Sequence, residues 1–412
     1  MSDTYCPLPW MHLYIGVTGQ VQHCCVSKPI GYFPKDSLEK IWNSAQVKNV
    51  RLKLLNNQKP NECADCFYKE DVLKTFSLRQ TSMKTFGSMV NPYEITLKDG
   101  TCTQMKLHYV DFRFNNLCNF KCRMCDSNFS SSIATETWNI RKKTGNKKFG
   151  IYSLYVANDV YGLDMYKEFQ KQYDNIKQIY FAGGEPIMQK EHFMVLSDLI
   201  SLDKAKDIKL YYSTNGSKFK NSLGNMFDFW KHFKEVDVTF SIDGFGKKAE
   251  YWRHGGKWED IENNMRECLE YPNIKNRMHS TLGWPNILNW IDFVKYAYEN
   301  NLFQDIFSAC GATAINNPSC FRLSAIPVWK KEQIASKLTE LKDFLISKNK
   351  IDIKENYLLN TLVGIENALF VSDELINKNQ FHEQITMLDE FRNESFFDVF
   401  PEHLDLKSYL YE

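Results

Sequence analysis

The sequence has 412 residues, with 51 Lys and Arg against 50 Asp and Glu, so its formal net charge is +1. At about 150 residues per domain this length predicts two or three domains, and 43% hydrophobic with 25% charged residues excludes the disordered and fibrous classes. The balanced charge predicts no tight binding of duplex nucleic acid. The sequence has no apolar run near the ~20 residues of a membrane helix and no signal-peptide pattern, which predicts a cytoplasmic protein without membrane contact.

Residues 1–75 are rich in Pro, Gly, Cys and aromatic residues and show little helical periodicity. This composition predicts a small domain that is held by something other than its core. Five of the twelve cysteines of the chain lie here. Because a chain without a secretion signal rarely forms disulfides, metal or redox chemistry is the better hypothesis.

A polar connecting segment, residues 76–104, contains a predicted hairpin turn at Asp99-Gly100. After it, short β-rich runs alternate with amphipathic segments, which is typical of parallel β/α units. Six strands predict an incomplete barrel. The predicted strands are Lys106 to Phe114, Ile176 to Ala182, Ile208 to Ser213, Val236 to Ile242, Arg277 to Leu282 and Ile306 to Ala309.

Apolar residues at helical spacing mark the crossover segments and the end of the chain. The predicted fold class is α/β, a partial (β/α)6 TIM-type barrel over residues 105–327, with the small cysteine-rich domain at the N-terminus and a helical segment over residues 328–412. The three predicted packing stripes are Ile261, Met265, Cys268 and Leu269; Ile287, Trp290, Ile291 and Val294; and Ile334, Leu338, Leu341 and Leu345.

The first barrel strand is followed by NNLCNFKCRMCDS, in which Cys118, Cys122 and Cys125 have the spacing C-x3-C-x2-C. Three thiolates in one loop can bind one ion or one cluster, and soft thiolates suit iron–sulfur clusters or zinc. Structural zinc normally takes four protein ligands, whereas this loop supplies three, which indicates an open coordination position. Zinc, and three reduced thiols without a metal, are the alternatives.

This motif at the end of a first barrel strand resembles the radical S-adenosylmethionine (SAM) superfamily. Three further segments occur in the order expected for that family, YFAGGEP, YYSTNG and TFSIDG at the ends of the second, third and fourth predicted strands. The resemblance implies that the three thiolates hold a 4Fe-4S cluster whose fourth iron is chelated by SAM. It also implies that reduction of the cluster cleaves SAM to a 5′-deoxyadenosyl radical.

The family's GGE motif contacts the SAM amino group, and here it is Gly183, Gly184 and Glu185. Glycines at a strand end also allow close approach of a ligand, and parallel barrels place their sites at these ends. Met124 stands where the family often has an aromatic residue near the adenine. A polarizable thioether can fill that place.

Short polar residues at the ends of the later strands can hydrogen-bond the ribose or the carboxylate of SAM. Capping of the turns is the alternative role for them. Arg253 resembles an arginine of relatives that carry extra clusters and can pair with a carboxylate, although a plain surface arginine fits the sequence as well. The polar candidates are Ser213, Asn215, Ser241 and Asp243.

The N-terminal cysteines resemble the auxiliary-cluster modules called SPASM and twitch. The spacing C-x12-G-x4-C starts at Cys6 and is followed by IWNS and CADC. A full SPASM pattern would continue with cysteines soon after Cys66, so we predict the smaller twitch version with one 4Fe-4S cluster, for electron transfer or structure. Cys25 could replace Cys24 as the ligand, and a zinc ribbon is the alternative to a cluster. In many relatives the module follows the barrel, whereas here it precedes it. The predicted ligands are Cys6, Cys24, Cys63 and Cys66.

The resemblance implies an enzyme that abstracts hydrogen from a substrate carbon in a barrel that excludes water. The predicted substrate is a peptide or protein. One alternative is a nucleotide or nucleobase, because proteins of this layout also resemble ones carried by bacteriophages. Another is a small sugar-like metabolite, because enzymes with twitch modules also oxidise small sugars and cyclitols. A non-catalytic metal-binding protein is the remaining alternative. A one-electron donor such as flavodoxin or ferredoxin is the implied partner. Cys310, after the sixth predicted strand, is a candidate donor of hydrogen to a product radical, with packing as its alternative role.

Overall fold

The computed structural model of the chain describes residues 2–73, 76–147, 149–150, 159–348, 356–371 and 376–411. The chain forms two compact units, each with strands and helices, so the fold class is α/β. The first unit comprises Met1–Asn116, Ala157–Tyr211 and His232–Lys234. The second unit comprises Leu117–Val156, Tyr212–Lys231 and Glu235–Glu412.

The strands of the described residues are short, and β12 is the longest of them. In chain order they are β1 (His12–Ile15), β2 (Gln20–Gln22), β3 (Gly31–Tyr32), β4 (Tyr109–Phe112), β5 (Lys121–Cys122), β6 (Gln178–Phe181), β7 (Lys209–Thr214), β8 (Lys220–Asn221), β9 (Gly224–Asn225), β10 (Glu235–Phe240), β11 (Arg253–His254), β12 (Ile274–Leu282) and β13 (Cys310–Ala314).

The longer helices of the described residues are α1 (Ala45–Leu55), α2 (Leu78–Phe86), α3 (Ser131–Thr144), α4 (Asp159–Gln170), α5 (Lys190–Ser201), α6 (Trp258–Cys268), α7 (Ile287–Glu299), α8 (Val328–Lys348) and α9 (Tyr357–Leu369). Shorter α-helical turns cover Leu38–Trp42, Ala64–Tyr68, Pro92–Ile95, Met226–Trp230, Gly246–Trp252, Ile306–Ala309, Lys378–Phe381, Leu388–Arg392, Phe396–Val399 and Lys407–Tyr411.

In the first unit the strand order is β3-β2-β1-β4-β6, followed by the first half of β7. The strand β1 is parallel to β4, and β4 is parallel to β6, so the N-terminal part and the predicted barrel share one run of strands. Phe112 of β4 packs edge-on against Phe169 of α4, with ring centroids 4.7 Å apart. Trp10 and Trp42 are fully buried, so the N-terminal part does have an apolar core, contrary to the expectation from its composition.

In the second unit the second half of β7 is followed by β10, β12 and β13. The strands β10, β12 and β13 run parallel to one another. Along β12, buried and half-exposed side chains alternate, as a strand with unequal faces requires. The predicted stripes of α6 and α7 are buried, which confirms that these crossover segments are amphipathic helices. The exception is Leu269, which follows the end of α6 and is half-buried.

The predicted sixth strand is wrong. Ile306–Ala309 forms one helical turn because the Asp305 side chain accepts a hydrogen bond from the backbone N–H of Phe307 (3.1 Å) and caps it. The strand β13 begins directly afterwards at Cys310. The turn at Asp99-Gly100 is confirmed, since Gly100 has φ of +84° and the flanking Thr96 and Cys102 pair in antiparallel fashion.

The end of the chain is helical, as predicted, in its described residues. Helix α8 buries the predicted stripe from Ile334 to Leu345. The C-terminal segment, defined here as residues 376–411, is anchored by aromatic packing: Trp284 lies 5.9 Å from Phe381 and 5.7 Å from Phe396 between ring centroids. Within the ranges that the structure describes, no helix combines the length and the low polarity needed to cross a lipid bilayer.

Candidate functional site

The central cysteine loop contains the short strand β5, which pairs antiparallel with β11 and places Arg253 opposite Cys122. Phe120 donates its backbone N–H to the Cys118 sulfur (3.4 Å), and the N–H of Cys125 bonds the Cys122 carbonyl (3.1 Å). Ser132 of helix α3 donates to the carbonyl oxygen of Cys118 (2.6 Å). The three cysteines are half-buried, and these hydrogen bonds fix the course of the loop that carries them.

Arg253 and Asp243 form a buried ion pair beside this loop. The guanidinium Nε donates to Asp243 Oδ2 (2.6 Å) and Nη2 donates to Oδ1 (3.0 Å), while Nη1 lies 3.9 Å from the sulfur of Cys122. The side chains of Arg253 and Asp243 are 14% and 1% exposed. Arg253 therefore pairs with a carboxylate of the chain itself, and its predicted role as a contact of the cofactor stays a prediction.

Burial and neighbouring charges together shift the pKa values of Cys122 and Arg253. Burial raises the pKa of the Cys122 thiol, and the Arg253 charge opposes the increase. Burial alone lowers the pKa of Arg253, but the charges of Asp243 and Cys122 outweigh it, so its pKa is raised overall. Burial, together with the neighbouring Cys122, Asp126 and Cys118, also raises the pKa of Cys125. The thiols are therefore close enough to repel one another as thiolates.

Asn215 lies in a side-chain network with the cysteine loop. Its Nδ2 donates to Asn119 Oδ1 (2.9 Å), its Oδ1 accepts from the N–H (3.0 Å) and hydroxyl (2.7 Å) of Ser217, and Asn119 donates to the Ser217 hydroxyl (3.0 Å). Asn119 stands between Cys118 and Cys122. The sequence marked Asn215 as a contact of SAM, and the structure adds that it supports the loop.

Ser213 near the end of β7 and Ser241 after β10 are half-buried. The N–H of Ser241 bonds the carbonyl of Thr214 (2.7 Å). On the neighbouring strand β12, His279 is also half-buried, and its Nε2 lies 3.3 Å from Thr313 Oγ1. Burial lowers the pKa of His279, with Asp243 and Arg253 acting in opposite directions. Sequence reasoning missed His279, although the alternation in RMHSTL marks its position on the less buried face.

The predicted GGE motif lies in the first unit at the end of β6. Gly183 has φ of +119°, and a Cβ there would approach both Asn115 O and Arg113 Cβ at 3.2 Å, so only glycine fits. Gly184 donates its N–H to the same Asn115 carbonyl (3.3 Å). Glu185 is buried, and its carboxylate accepts from the N–H of Ile187 (3.4 Å). The motif thus forms a rigid turn, and its contact with SAM stays a prediction.

Two further sequence candidates have different surroundings. Met124 is half-buried in the turn between Cys122 and Cys125. Cys310 is fully buried and opens β13, where it pairs with Met278 on the face opposite to His279. Burial raises the pKa of Cys310 well above its ordinary value. This placement favours the packing role of Cys310 over hydrogen donation.

The N-terminal cysteines Cys6, Cys24, Cys63 and Cys66 come together in the first unit. Burial raises the pKa of Cys24 and of Cys63 to about 12, and in both cases the other cysteines add to the increase. The turn between β1 and β2 depends on Gly19, which has φ of +83°. This glycine is the one in the C-x12-G-x4-C spacing. The ring of His23, which the sequence did not single out, is buried with Nε2 3.9 Å from the Cys63 sulfur. Cys25 is exposed.

The donor chemistry of both cysteine groups fits iron–sulfur clusters. Each group is made of thiols only, and crowded buried thiols stay ionised only when a cation offsets their repulsion. Among the described residues, no three His, Cys, Asp or Glu side chains are arranged to hold a single metal ion. Cluster cysteines bind different iron atoms, and therefore need not converge on one point.

Comparison with known proteins identifies both cysteine regions. The model of the radical SAM superfamily matches residues 112–289, and the model of SPASM, described as an iron-sulfur cluster-binding domain, matches residues 6–67. A search of curated proteins finds no significant match.

Three solved structures show remote similarity. Hexahistidine-tagged anSMEcpe with bound AdoMet is 17% identical with a TM-score of 0.37, over 57% of this chain and 58% of that chain. TYW1 with a bound lysine-pyruvate adduct is 13% identical with a TM-score of 0.28, over 57% of this chain and 72% of that chain. Streptococcus suis SuiB bound to S-adenosylmethionine is 13% identical with a TM-score of 0.34, over 82% and 68%. The chain thus spans less than two thirds of anSMEcpe, and similarity at this level assigns no substrate.

The two family matches cover the Cys118, Cys122 and Cys125 loop and the four N-terminal cysteines, and they agree with the thiol-only chemistry of both groups. Residues 112–289 therefore form a domain of the radical SAM superfamily of enzymes, and residues 6–67 form an iron–sulfur cluster-binding domain of the SPASM type.

Proposed function

We propose that this protein uses SAM as the source of a carbon-centred radical that removes a hydrogen atom from a substrate carbon. The observation that carries the proposal is the loop with Cys118, Cys122 and Cys125, which lies in the matched radical SAM region with the Arg253 guanidinium 3.9 Å from the Cys122 sulfur. Three ligands leave one iron of a four-iron cluster open for SAM.

The residues of this chain would hold the cluster and position SAM. Cys118, Cys122 and Cys125 are the proposed ligands. The cluster, when bound, supplies the electron that cleaves SAM into methionine and a 5′-deoxyadenosyl radical. Arg253 stays positively charged because Asp243 accepts two of its hydrogen bonds. This charge offsets part of the negative charge of the thiolates, which favours transfer of an electron to the site.

The polar groups at the strand ends are the proposed contacts of SAM. Ser213 on β7, Ser241 directly after β10 and His279 on β12 are half-buried, so their polar atoms can bond a ligand while the strands keep their positions. The turn at Gly183, Gly184 and Glu185 remains part of the proposal, supported by a backbone that only glycine tolerates at Gly183. A partial (β/α)6 barrel is also part of it, supported by β4, β6, β7, β10, β12 and β13, which alternate with helices along the chain.

The N-terminal domain is proposed to hold a second 4Fe-4S cluster on Cys6, Cys24, Cys63 and Cys66. Four thiolates leave no open iron, so the role of this cluster would be electron transfer or structure. An external one-electron donor such as flavodoxin or ferredoxin would reduce the protein. Support for the domain comes from the SPASM match over residues 6–67.

A peptide or protein is the proposed substrate. Its support is the resemblance of the N-terminal module to modules of peptide-modifying relatives. Nucleotides and small sugar-like metabolites form the competing class. Incubation with SAM and deuterated pools of each class separates them, since the 5′-deoxyadenosine gains deuterium only from the true substrate. Deuterium from a peptide pool supports the proposal, and deuterium from nucleotides alone overturns the peptide assignment.

Release of 5′-deoxyadenosine tests the radical chemistry. Reconstituted protein with dithionite and SAM is expected to form it, whereas Cys122→Ala is expected to form none. Cys268→Ala is the matched control, because Cys268 is a fully buried thiol on α6 in the same unit. Equal release from the wild type and Cys122→Ala would refute the proposal.

A further inference from the structure

A buried arginine sits inside the cluster-binding motif and does not face the thiols. Arg123 stands between Cys122 and Cys125, and its side chain is 0% exposed. Its Nη2 donates to Asp389 Oδ1 (2.6 Å) and to Glu394 Oε2 (2.7 Å), and its Nη1 donates to the carbonyl of Gln384 (3.1 Å). All three acceptors belong to the C-terminal segment, residues 376–411.

The two carboxylates are themselves held in place. Asp389 also accepts from the Tyr251 hydroxyl (2.7 Å), and its second oxygen accepts from the N–H of Phe396 (2.7 Å). Glu394 Oε1 lies 2.8 Å from Nδ1 of His254. The Arg123 guanidinium carbon lies 3.8 Å from the centroid of the Tyr251 ring. Arg123 therefore enters a site with fixed acceptors and one fixed ring face.

The same segment reaches the residue before Cys122. Arg392 donates to the backbone carbonyl of Lys121 (2.9 Å), and both its Nε (3.1 Å) and Nη2 (2.7 Å) donate to Glu136 of α3. Lys121 Nζ also lies 3.0 Å from Glu136. The loop from Lys121 to Cys125 is thus attached to the C-terminal segment on both sides of Cys122.

Stability alone does not explain this arrangement. The aromatic contacts of Trp284 with Phe381 and Phe396 already anchor the segment. Buried ion pairs contribute little net stability, because desolvation of the charges offsets their attraction, and apolar side chains of similar volume often do as well. A guanidinium that is hydrogen-bonded to two fixed carboxylates holds the backbone of its own residue, here Arg123, in one defined position. That backbone carries two proposed ligands of the cluster.

We propose that the C-terminal segment is part of the SAM-binding cluster site, with Arg123 as a positioning residue that fixes Cys122 and Cys125 through Asp389 and Glu394. This inference rests on the proposed function. It assigns a role to a segment that the matched radical SAM region, residues 112–289, does not include.

The test uses the full-length reconstituted protein and two charge-altering variants. Asp389→Asn with Glu394→Gln removes the acceptor charges at constant side-chain size, and Arg123→Met removes the donor. Glu390→Gln is the matched control, because Glu390 is exposed and lies next to Asp389. Arg123→Lys keeps the positive charge but loses the planar guanidinium with its paired donors, and it replaces Arg123→Met in the test if that variant does not fold.

Two quantities are measured on the cluster whose EPR spectrum changes when SAM is added. The first is the rate at which a chelator removes its iron, which we expect to rise about 10- to 100-fold when either side of the ion pair is removed, as for other groups that orient metal ligands. The second is its midpoint potential. Removal of the carboxylates is expected to raise the potential, and removal of Arg123 is expected to lower it, because net charge near a cluster sets how easily it accepts an electron.

General loosening of the fold would not shift the potential in opposite directions in the two variants. Arg123→Lys is expected to keep the wild-type potential but to lose iron faster, and the control is expected to match the wild type in both quantities. Wild-type iron release from the carboxylate variant, or potential shifts of the same sign in both variants, would overturn the inference. If the wild type itself shows no cluster that responds to SAM, the proposed function fails instead.

Discussion

The substitution Asp243→Asn tests the ion pair beside the cysteine loop. Asp243 accepts two hydrogen bonds from Arg253 (2.6 and 3.0 Å) and a third from the backbone N–H of Thr281 (2.6 Å). An asparagine has the same shape but no charge, and it offers one acceptor oxygen in place of two. Its amide group would therefore face an N–H donor of Arg253.

The magnitude follows from burial. Asp243 is 1% and Arg253 14% exposed, and removing one partner of a buried pair costs about 3–5 kcal/mol because the other charge is left uncompensated. Removing both charges with Asp243→Asn and Arg253→Met should recover part of this loss. The expected coupling between the two sites is up to about 3 kcal/mol.

Urea unfolding at pH 7 of the cluster-free chain, followed by circular dichroism, measures these values. The matched control is Asp228→Asn. Asp228 pairs with Lys231 at 3.6 Å, but the side chains of Asp228 and Lys231 are 67% and 52% exposed, so we expect a loss below about 1 kcal/mol.

Two results would refute the reasoning. The first is a loss for Asp243→Asn no larger than the loss for the Asp228 control. The second is additivity of Asp243→Asn and Arg253→Met, since independent effects would mean that the two side chains do not interact in the folded chain.

Three other predictions concern separate parts of the chain. Gly183→Ala should lower the unfolding free energy by about 1–3 kcal/mol, because φ at Gly183 is +119° and a Cβ there also meets Asn115 and Arg113. Gly145→Ala should cost less, because its φ of +73° lies near the left-handed helical region and a Cβ there meets nothing within 4 Å. Equal losses in thermal unfolding would contradict this. Burial raises the pKa of Glu136, but Arg392 outweighs this effect and lowers the pKa below 4.5. The stabilising effect of the Glu136 carboxylate is therefore present above pH 4.5 and is lost as the pH falls through the lowered pKa. Urea unfolding should show a weaker acid dependence of stability for Glu136→Gln than for the wild type, and an unchanged profile would be contrary evidence. Cys66→Ala should reduce iron and sulfide from about eight to about four per chain, and metal analysis that finds no loss would exclude Cys66 as a ligand.

Features set by neighbouring residues could be predicted from the sequence. The turn at Asp99-Gly100 follows from the residues that occupy it, and the stripes of α6, α7 and α8 follow from apolar spacing. The sixth strand was misplaced because a short apolar run fits a strand or a helix equally, and a single capping residue, Asp305, decided the outcome.

Features set by contacts distant in the sequence could not be predicted. The pairing of β1 with β4 joins residues about 97 positions apart, as from His12 to Tyr109. Arg123 binds Asp389 and Glu394, which lie 266 and 271 positions after it in the sequence. An arginine inside a cysteine motif carries no local sign of a carboxylate from the other end of the sequence. The thiols of the candidate site could be named from their spacing, but the contacts between their loop and the C-terminal segment could not.

The most direct measurement of the central claim is the EPR spectrum of oxygen-free, dithionite-reduced protein before and after addition of SAM. The wild type is expected to show a reduced 4Fe-4S signal that changes shape with SAM, and Cys122→Ala is expected to show no change with SAM. A wild-type spectrum that SAM leaves unaltered, or protein that contains zinc where iron is expected, would contradict the assignment of Cys118, Cys122 and Cys125 as ligands of a SAM-binding cluster.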